Sequence, residues 1–493
     1  MTNAAVATAL CLLIGYPIAL GIARADPAWQ SLLLMLVILP FWTSFLLRVY
    51  AWMGLLGTNS WFNRLLTGAW NGVVPPSWEV PHLPLMNSNF AVVLVTVYSY
   101  LPFMILPLYA TLEKVDRTLD EAAMDLGSRP TRVFRDVTLP LSIPGIVAGG
   151  LPVFIPACDE LIIPSLVGDA SRPMDDLTHH QRRVHHGAQL AHGLGRRGGT
   201  PGAARRAPDG LRLGRGTRRR GGPAGASAMR RKPHFVRAML VFGLAFFYVP
   251  ILSMIVFSFN DSRLATVWGG FSTQWYGQLV RNDQIIEAAL LSIRVALVSA
   301  TAATILGTMA GIPLARVKRF RGRTVFSGLV TAPLVMPEVI TGNASLMHFI
   351  LVAQWIGWPG QRGFTTVTLA HITLSMDESI EEAAIDLGSE PWQVLRDVTL
   401  PVIWPAILAG WLLAFTISLY EVVITSFTTG PGYTTLPILI WSKVKLGVTP
   451  NINALATITV LAVGLGVLVA GLVMSRAGKR RQRDTVLAVR ENA

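Results

Sequence analysis

EAAMDLGSRPTRVFRDVTLPLSIPGIVAG, from Glu121 to Gly149, returns later in the chain as EAAIDLGSEPWQVLRDVTLPVIWPAILAG, from Glu382 to Gly410. The two stretches align without a gap and are identical at 19 of 29 positions. Self-similarity of this kind indicates an internal duplication. The sequence therefore predicts a protein that is built from two copies of one unit.

Apolar runs surround both copies. Hydrophobic residues make up 52% of the chain and charged residues only 14%, and the mean hydropathy is +0.49. A helix needs about 20 mostly apolar residues to cross the hydrocarbon of a membrane. We expect such runs near residues 4–23, 29–48, 88–110, 141–158, 236–259, 292–315, 325–341, 402–427 and 452–474. Any one short run is also compatible with a buried helix of a soluble protein, but together they predict an all-α integral membrane protein.

Basic residues predict how the chain is oriented. They flank the first copy and end the chain, at Lys114, Arg117, Arg129, Arg132, Arg135, Arg476, Lys479, Arg480, Arg481 and Arg483. Because Lys and Arg concentrate on the cytoplasmic side, the repeated stretch is expected to face the cytosol. We expect no cleavable secretory signal, because residues 4–23 are long enough to span and lack a basic leader.

The repeated stretch has the pattern of a short helix, a turn and a second helix. Residues 121–126 favour a helix with acids at its N-terminal end, and Gly127 is a natural left-handed stop. Pro130 then opens a helical stretch that we expect to reach Leu139-Pro140, where the chain turns into the membrane. Small side chains after Glu121 allow another protein to approach closely. A solvated amphipathic loop is the alternative, but it does not explain two copies.

The pattern Glu-Ala-Ala, three residues, Gly, and about ten residues to Leu-Pro resembles the cytoplasmic loop of permease subunits of binding-protein-dependent ABC importers. In that family the short helix docks in a groove of the ATPase subunit and transmits the nucleotide cycle to the membrane helices. The resemblance implies ATPase-coupling roles for Glu121, Ala122, Ala123, Asp125 and Gly127, and for Glu382, Ala383, Ala384, Asp386 and Gly388.

Wider stretches resemble the polyamine branch of this family. LPFWTSFLLRVYAWMGLLG at 39–57 is similar to its first permease subunit, and FSFNDSRLATVWGGFSTQWYGQLVRND at 257–283 is similar to its second. The resemblance implies two fused permease halves in a bacterial inner (plasma) membrane, in contact with lipid, that import putrescine or spermidine. The implied partners are a cytoplasmic ATPase dimer and a periplasmic polyamine-binding protein, with no cofactor and no nucleic acid.

The joint between the halves is unusual. We divide the chain into a first half at 1–174, an Arg/Gly-rich segment at 175–228 and a second half at 229–493. A one-base frameshift explains the Arg-rich segment, because another reading frame can give an amino-acid sequence like that of the family's last membrane helix. A disordered basic linker is the alternative. A nucleic-acid-binding tail is disfavoured, because no aromatic residue interrupts the basic run.

Three further departures from the family pattern follow from aligning the halves. About a dozen residues of a spanning helix are missing before Asp377, which leaves 364–376 too short to span. Nothing in the first half matches the helix near 236–259, so that half is expected to be clipped at its start. It is also expected to lack its last helix.

Acids inside membrane runs are costly and are therefore candidates for a substrate pathway. Asp159 and Glu160 occupy the position in their half that Tyr420 and Glu421 occupy in theirs, and Glu338 lies in another apolar run. Aromatic faces attract organic cations, which adds Trp42 and Tyr98 to these candidates. The alternative is that the acids lie at helix ends near water.

Other functional classes fit the sequence less well. The chain has no G-x-x-x-x-G-K-[ST] phosphate loop, so we expect a partner to hydrolyse ATP and this chain not to be an enzyme. His179-His180 and His185-His186 fall in the Arg-rich segment, so we assign no metal site. Cys11 and Cys158 lie in apolar runs, and we expect no disulfide. A secondary transporter also uses internal repeats, but it needs no loop for docking an ATPase. An inactive product of damaged genes is the third interpretation of the sequence.

Overall fold

The structure is a computed structural model that describes residues 1–168, 234–316, 338–357, 367–368 and 400–465, except residues 265, 431, 446, 448 and 463. Within these ranges the ordered elements are helices, apart from an isolated β-bridge between Asn260 and Phe271. The prediction of an all-α protein is confirmed. The Arg-rich segment and the second copy of the repeat up to residue 399 lie outside the described residues.

The helices of the first half alternate between long apolar segments and short connecting ones. They are α1 Thr2–Ala23, α2 Pro27–Ile38, α3 Phe45–Leu56, α4 Trp61–Asn71, α5 Asn89–Leu112, α6 Arg117–Asp125, α7 Pro130–Val133, α8 Leu139–Asp159 and α9 Ile162–Val167. Two 3₁₀ turns, Leu39–Trp42 and Pro76–Trp78, and a π-helical turn, Phe134–Thr138, join some of them.

The described helices of the second half also include long apolar helices and short ones. They are α10 His234–Phe257, α11 Gln274–Val280, α12 Asp283–Arg316, α13 Glu338–Ile356, α14 Leu400–Tyr420, α15 Val423–Thr428, α16 Leu436–Lys445 and α17 Pro450–Ala462.

Six helices in the described part are long and apolar enough to cross a membrane. They are Thr2–Ala23, Asn89–Leu112, Thr131–Cys158, Phe235–Phe257, Asp283–Met309 and Glu338–Ile356. Four of the predicted runs, at 4–23, 88–110, 141–158 and 236–259, therefore coincide with observed helices. The prediction of a multi-pass membrane protein is confirmed.

Other predicted runs differ from the observed helices. The run at 29–48 was wrong as a single helix, because Pro40 lies in a 3₁₀ turn between α2 and α3 and cannot donate a helical N–H. The run at 402–427 breaks after Tyr420. The run at 292–315 begins earlier, at Asp283. Of the runs at 325–341 and 452–474, only 338–341 and most of 452–465 are described, and α13 continues to Ile356.

The two halves pack against each other through α10. This first helix of the second half lies against α1 and α3 of the first half. Tyrosine hydroxyls bridge the halves in both directions: Tyr98 donates to the Phe247 carbonyl at 3.0 Å, and Tyr248 donates to the Leu36 carbonyl at 2.9 Å. A buried tyrosine needs such a partner for its hydroxyl. The hydrogen bonds therefore fix α10 in position against the first half.

Glycines let α5 and α8 approach closely within the first half. A Cβ atom added at Gly145 would lie 2.6 Å from the Thr111 side-chain oxygen, and one at Gly149 would lie 3.0 Å from the Met104 backbone oxygen. These two glycines are four residues apart and share one face of α8. Small residues with this spacing are typical of tightly packed membrane helices. By contrast, a Cβ atom at Gly150 would meet nothing within 4 Å.

We expect Gly145→Ala to destabilise the first half by about 1–3 kcal/mol, because the added methyl group would overpack the contact with α5. The midpoint of unfolding in detergent micelles measures this loss. Gly150→Ala is the matched control and should leave the midpoint unchanged or raise it, since Ala favours helix without a clash. Equal effects of the two variants would contradict the close approach of α5 and α8.

Candidate functional site

The first copy of the repeat begins with a capped helix. Asp116 is the N-cap of α6, and its carboxylate accepts the backbone N–H of Thr118 at 3.0 Å. This hydrogen bond lowers the pKa of Asp116 below its usual value, because it favours the charged form. The cap explains why α6 starts before Glu121, four residues earlier than the acidic motif itself suggested.

Gly127 ends α6 as the sequence predicts. Its φ is +85°, in the left-handed region that favours glycine. The Gly127 N–H donates to the Met124 carbonyl at 2.9 Å, and the Ser128 N–H donates to the Ala123 carbonyl at 3.1 Å. These bonds satisfy the last carbonyls of the helix. The expected helix and left-handed stop are confirmed for the first copy.

One face of α6 is open to the surroundings. Glu121, Ala122 and Asp125 are exposed and Ala123 is half-buried. Apolar side chains lie among them without cover: Leu119 and Met124 are exposed, and Leu126 is 88% exposed. A Cβ atom at Gly127 would meet nothing within 4 Å. The surface has small residues, acids and unburied apolar groups in one short segment, which suits it to receive another protein.

The opposite face of α6 is tied to the membrane helices by Asp120, which is 9% exposed. Its Oδ2 accepts a hydrogen bond from the Arg24 guanidinium at the end of α1. Its Oδ1 accepts the Thr138 hydroxyl at 3.1 Å. This cluster was not predicted from the sequence, although a basic residue directly after a spanning helix is a signal that it has an acidic partner.

The loop continues into the membrane without the predicted turn. α7, the π-helical turn and α8 follow one another from Pro130 to Asp159, so the turn expected at Leu139-Pro140 was wrong. Pro140 lies in the first turn of α8, where its missing N–H costs little. The ring of Tyr16 meets the Phe134 ring edge-on at 5.4 Å, and its hydroxyl lies 2.9 Å from that of Ser142. α1 therefore braces the π-helical turn.

The second copy of the loop is not described. The residues of that copy with implied coupling roles lie outside the described part of the chain, at Glu382, Ala383, Ala384, Asp386 and Gly388. The described structure resumes at Leu400, where α14 begins at the position that corresponds to the start of α8.

Glu160 lies at a helix break in the first half, between α8 and α9. Its Oε1 accepts the N–H groups of Ile162 and Ile163 at 2.9 and 3.2 Å. Its Oε2 accepts the Tyr100 hydroxyl at 2.7 Å, and the buried Arg48 lies within electrostatic range. The acid therefore caps α9 and joins a polar cluster inside the half. The side chain of Asp159 is not among those described.

Glu421 repeats this arrangement in the second half, between α14 and α15. Its Oε1 accepts the Ile424 N–H at 2.9 Å, and the residue is buried. Its neighbour Tyr420 is half-buried and ends α14. The position that the two halves were predicted to share is thus a helix break with a capping carboxylate in each.

The remaining pathway candidates have different surroundings. Glu338 is exposed in the first turn of α13 and lies within electrostatic range of Tyr100. Tyr98 is buried, with its ring edge-on to Trp52 at 5.6 Å, and it bonds to the other half as described above. The structure thus places Tyr98 in the core between the halves. The side chain of Trp42 is not described.

The described residues contain no group of three or more His, Cys, Asp or Glu side chains placed to hold a metal ion. Neither Cys11 nor Cys158 forms a disulfide. The histidine pairs of the Arg-rich segment lie outside the described residues.

Comparison with known proteins identifies close relatives. The chain is 50% identical over 260 residues to the putrescine transport system permease protein PotI of Escherichia coli K12, covering 50% of this chain and 92% of that protein. It is 39% identical over 246 residues to the spermidine/putrescine transport system permease protein PotC of the same strain, covering 47% and 90%. It is 42% identical over 170 residues to PotB, a permease protein of the spermidine/putrescine transport system of Haemophilus influenzae, covering 34% and 57%.

A family model described as "Binding-protein-dependent transport system inner membrane component" matches the chain twice, at residues 12–178 and 303–483. The first match ends four residues into the Arg-rich segment and the second lies wholly after it. Each match includes one copy of the repeated stretch. Two matches are consistent with two permease subunits fused in one chain. The chain therefore belongs to the family of inner membrane components of binding-protein-dependent transport systems and carries two copies of its domain.

Proposed function

We propose that this chain forms the translocation pathway of an ATP-driven importer of polyamines, with putrescine or spermidine as cargo. The observation that carries the proposal is the open face of α6 in a chain of this family. The face ends at a left-handed glycine and leaves Leu126 uncovered. The permease names of the relatives support the cargo class.

Energy for transport comes from a separate ATPase dimer in this proposal, and the chain itself is not an enzyme. The absence of a phosphate loop from the sequence supports this division of labour. α6 and the repeated stretch near Glu382 would each dock on one ATPase subunit. A periplasmic binding protein would deliver the polyamine to the opposite side. The two-fold repeat matches the symmetry of such a dimer.

The proposed pathway uses acids at or near helix breaks. A polyamine carries several positive charges, and carboxylates within the bundle offset the cost of bringing those charges out of water. The candidates are the acids Asp159, Glu160, Glu338 and Glu421, together with Tyr420, which precedes Glu421 in the chain. Glu160 and Glu421 fit this role best, because each has its carboxylate at a break between a long helix and a short one.

The proposed domain division is 1–174, 175–228 and 229–493. The end of the first family match at residue 178 supports the first boundary. An inactive product of fused, frameshifted genes is the second candidate, and the abrupt Arg-rich composition of 175–228 favours it. Uptake of labelled putrescine into proteoliposomes that hold the full chain, its ATPase and its binding protein decides between them. ATP-dependent uptake supports the proposal, and its absence supports the inactive product.

We expect Gly127→Val to weaken retention of the ATPase, because a β-branched residue with φ near +85° costs about 1–2 kcal/mol and shifts the end of α6. Co-purification of the ATPase with the full chain from detergent measures the effect. Gly127→Asn is the matched control, because asparagine tolerates this conformation and should keep the ATPase bound. Equal retention by the Val variant and the wild-type chain would contradict docking at this end of α6.

We expect Glu160→Gln and Glu421→Gln each to raise the KM for putrescine uptake about tenfold, since a charge-assisted hydrogen bond is worth roughly 1.5–3 kcal/mol. A glutamine oxygen still accepts the capping N–H groups, so the fold should persist. The Glu→Ala variants lose the cap as well and should also lower the unfolding midpoint in micelles. Wild-type KM in both Gln variants would limit these acids to the capping of α9 and α15.

A further inference from the structure

The ion pair between Arg24 and Asp120 connects two parts of the molecule that the chain does not connect directly. The docking loop, residues 113–138, is covalently continuous with α5 before it and α8 after it. α1 ends almost a hundred residues earlier, at Ala23. Asp120 is the point where the inner face of α6 meets the end of α1, and its second oxygen binds Thr138 of the π-helical turn. One carboxylate therefore holds three segments together.

α1 is well placed to pass on a movement of the loop. It packs along α5 and α8 and also against α10 of the second half. The contact with α10 is close: a Cβ atom at Gly243 would lie 2.3 Å from the Ile18 side chain, and one at Gly21 would lie 3.0 Å from Val236. A shift of α1 would therefore act on the surface between the halves.

The ion pair lies beside open space. A cavity of about 330 Å³ opens beside the pair and is lined by Arg24, Glu113, Asp116, Asp120 and Thr138, among others. The Arg24 side chain is partly exposed and that of Asp120 is largely buried. Arg24 is thus the more accessible end of the contact.

Residues of the same three types, an arginine, an acid and a threonine, stand at the corresponding positions in the second half of the sequence. Arg316 ends α12 at the position that corresponds to Arg24, and the acid Glu381 directly precedes the second Glu-Ala-Ala. Thr399 stands in the second Asp-Val-Thr-Leu-Pro, where the first copy has Thr138. An exposed ion pair in the same loop, Arg132 with Asp136 at 3.8 Å, does not recur, because Gln393 replaces the arginine.

We propose that Asp120 is the positioning residue through which the docking loop holds α1 and transmits the ATPase cycle to the surface between the halves. This inference rests on the proposed function. In this proposal Asp120 contacts neither the ATPase nor the cargo. It acts through Arg24.

The test compares docking with coupling in the full chain, reconstituted with its ATPase and binding protein. We expect D120N and R24Q to retain the ATPase in detergent, while putrescine uptake per ATP hydrolysed falls about fivefold or more, the lower range of measured couplings between sites. The charge reversal R24E/D120R should recover a large part of the lost ratio. D136N, at the exposed pair that does not recur, should match the wild-type chain.

The outcomes separate this inference from the proposed function. If the wild-type chain neither binds the ATPase nor takes up putrescine, the proposed function fails. If the wild-type chain does both and D120N keeps its uptake ratio, the inference alone is overturned. Loss of ATPase retention in D120N and R24Q, without recovery in the charge reversal, would also overturn it, because the pair would then only hold the loop folded. If D120N does not accumulate in membranes, the uptake per ATP hydrolysed in R24Q and in the charge reversal still tests the inference.

Discussion

An apolar helix that breaks inside a membrane protein exposes backbone groups that lipid cannot satisfy, and this constraint shapes both halves of the chain. In each half a glutamate side chain accepts hydrogen bonds from backbone N–H groups at such a break. Glu160 accepts the first N–H groups of α9, and Glu421 accepts the Ile424 N–H at the start of α15. A third break, at Pro40, is stabilised by the Thr43 hydroxyl, which donates to the proline carbonyl at 2.6 Å. These capped breaks let long apolar segments bend while their polar backbone groups remain bonded.

The breaks and the close helix contacts place the docking loop. Gly145 and Gly149 bring α8 against α5, so the two helices that flank the loop are held together at its base. Asp120 then ties the loop to α1, which also contacts the second half. The outer face of α6 is exposed, whereas Asp120 on its inner face is buried. The surface proposed for the ATPase and the connection to the membrane helices thus lie on opposite faces of one nine-residue helix.

Local features of the loop were predictable from residue type, and contacts across the chain were not. Gly127 has the left-handed conformation expected from its place after a helix. The break at Pro40 could also have been expected from the missing N–H, but hydrophobicity alone predicted one helix there. Asp120 could not be found in the motif itself, because its role depends on Arg24, far away in sequence. The hydrogen bond from the Tyr98 hydroxyl to the Phe247 carbonyl of the second half was not predicted either, while the role of Tyr98 in the pathway stays a prediction.

The sequence by itself determined that the protein is helical, membrane-spanning and duplicated, since composition and the repeat from Glu121 to Gly149 need no three-dimensional information. It also determined the family, because the spacing of the loop motif is local. Only the tertiary structure decided which charged groups meet: that Glu160 caps a helix and binds Tyr100, and that Asp120 joins α6 to α1. The physical reason is that a membrane helix can be recognised from its own residues, while the partner of a buried charge is chosen by how the helices pack.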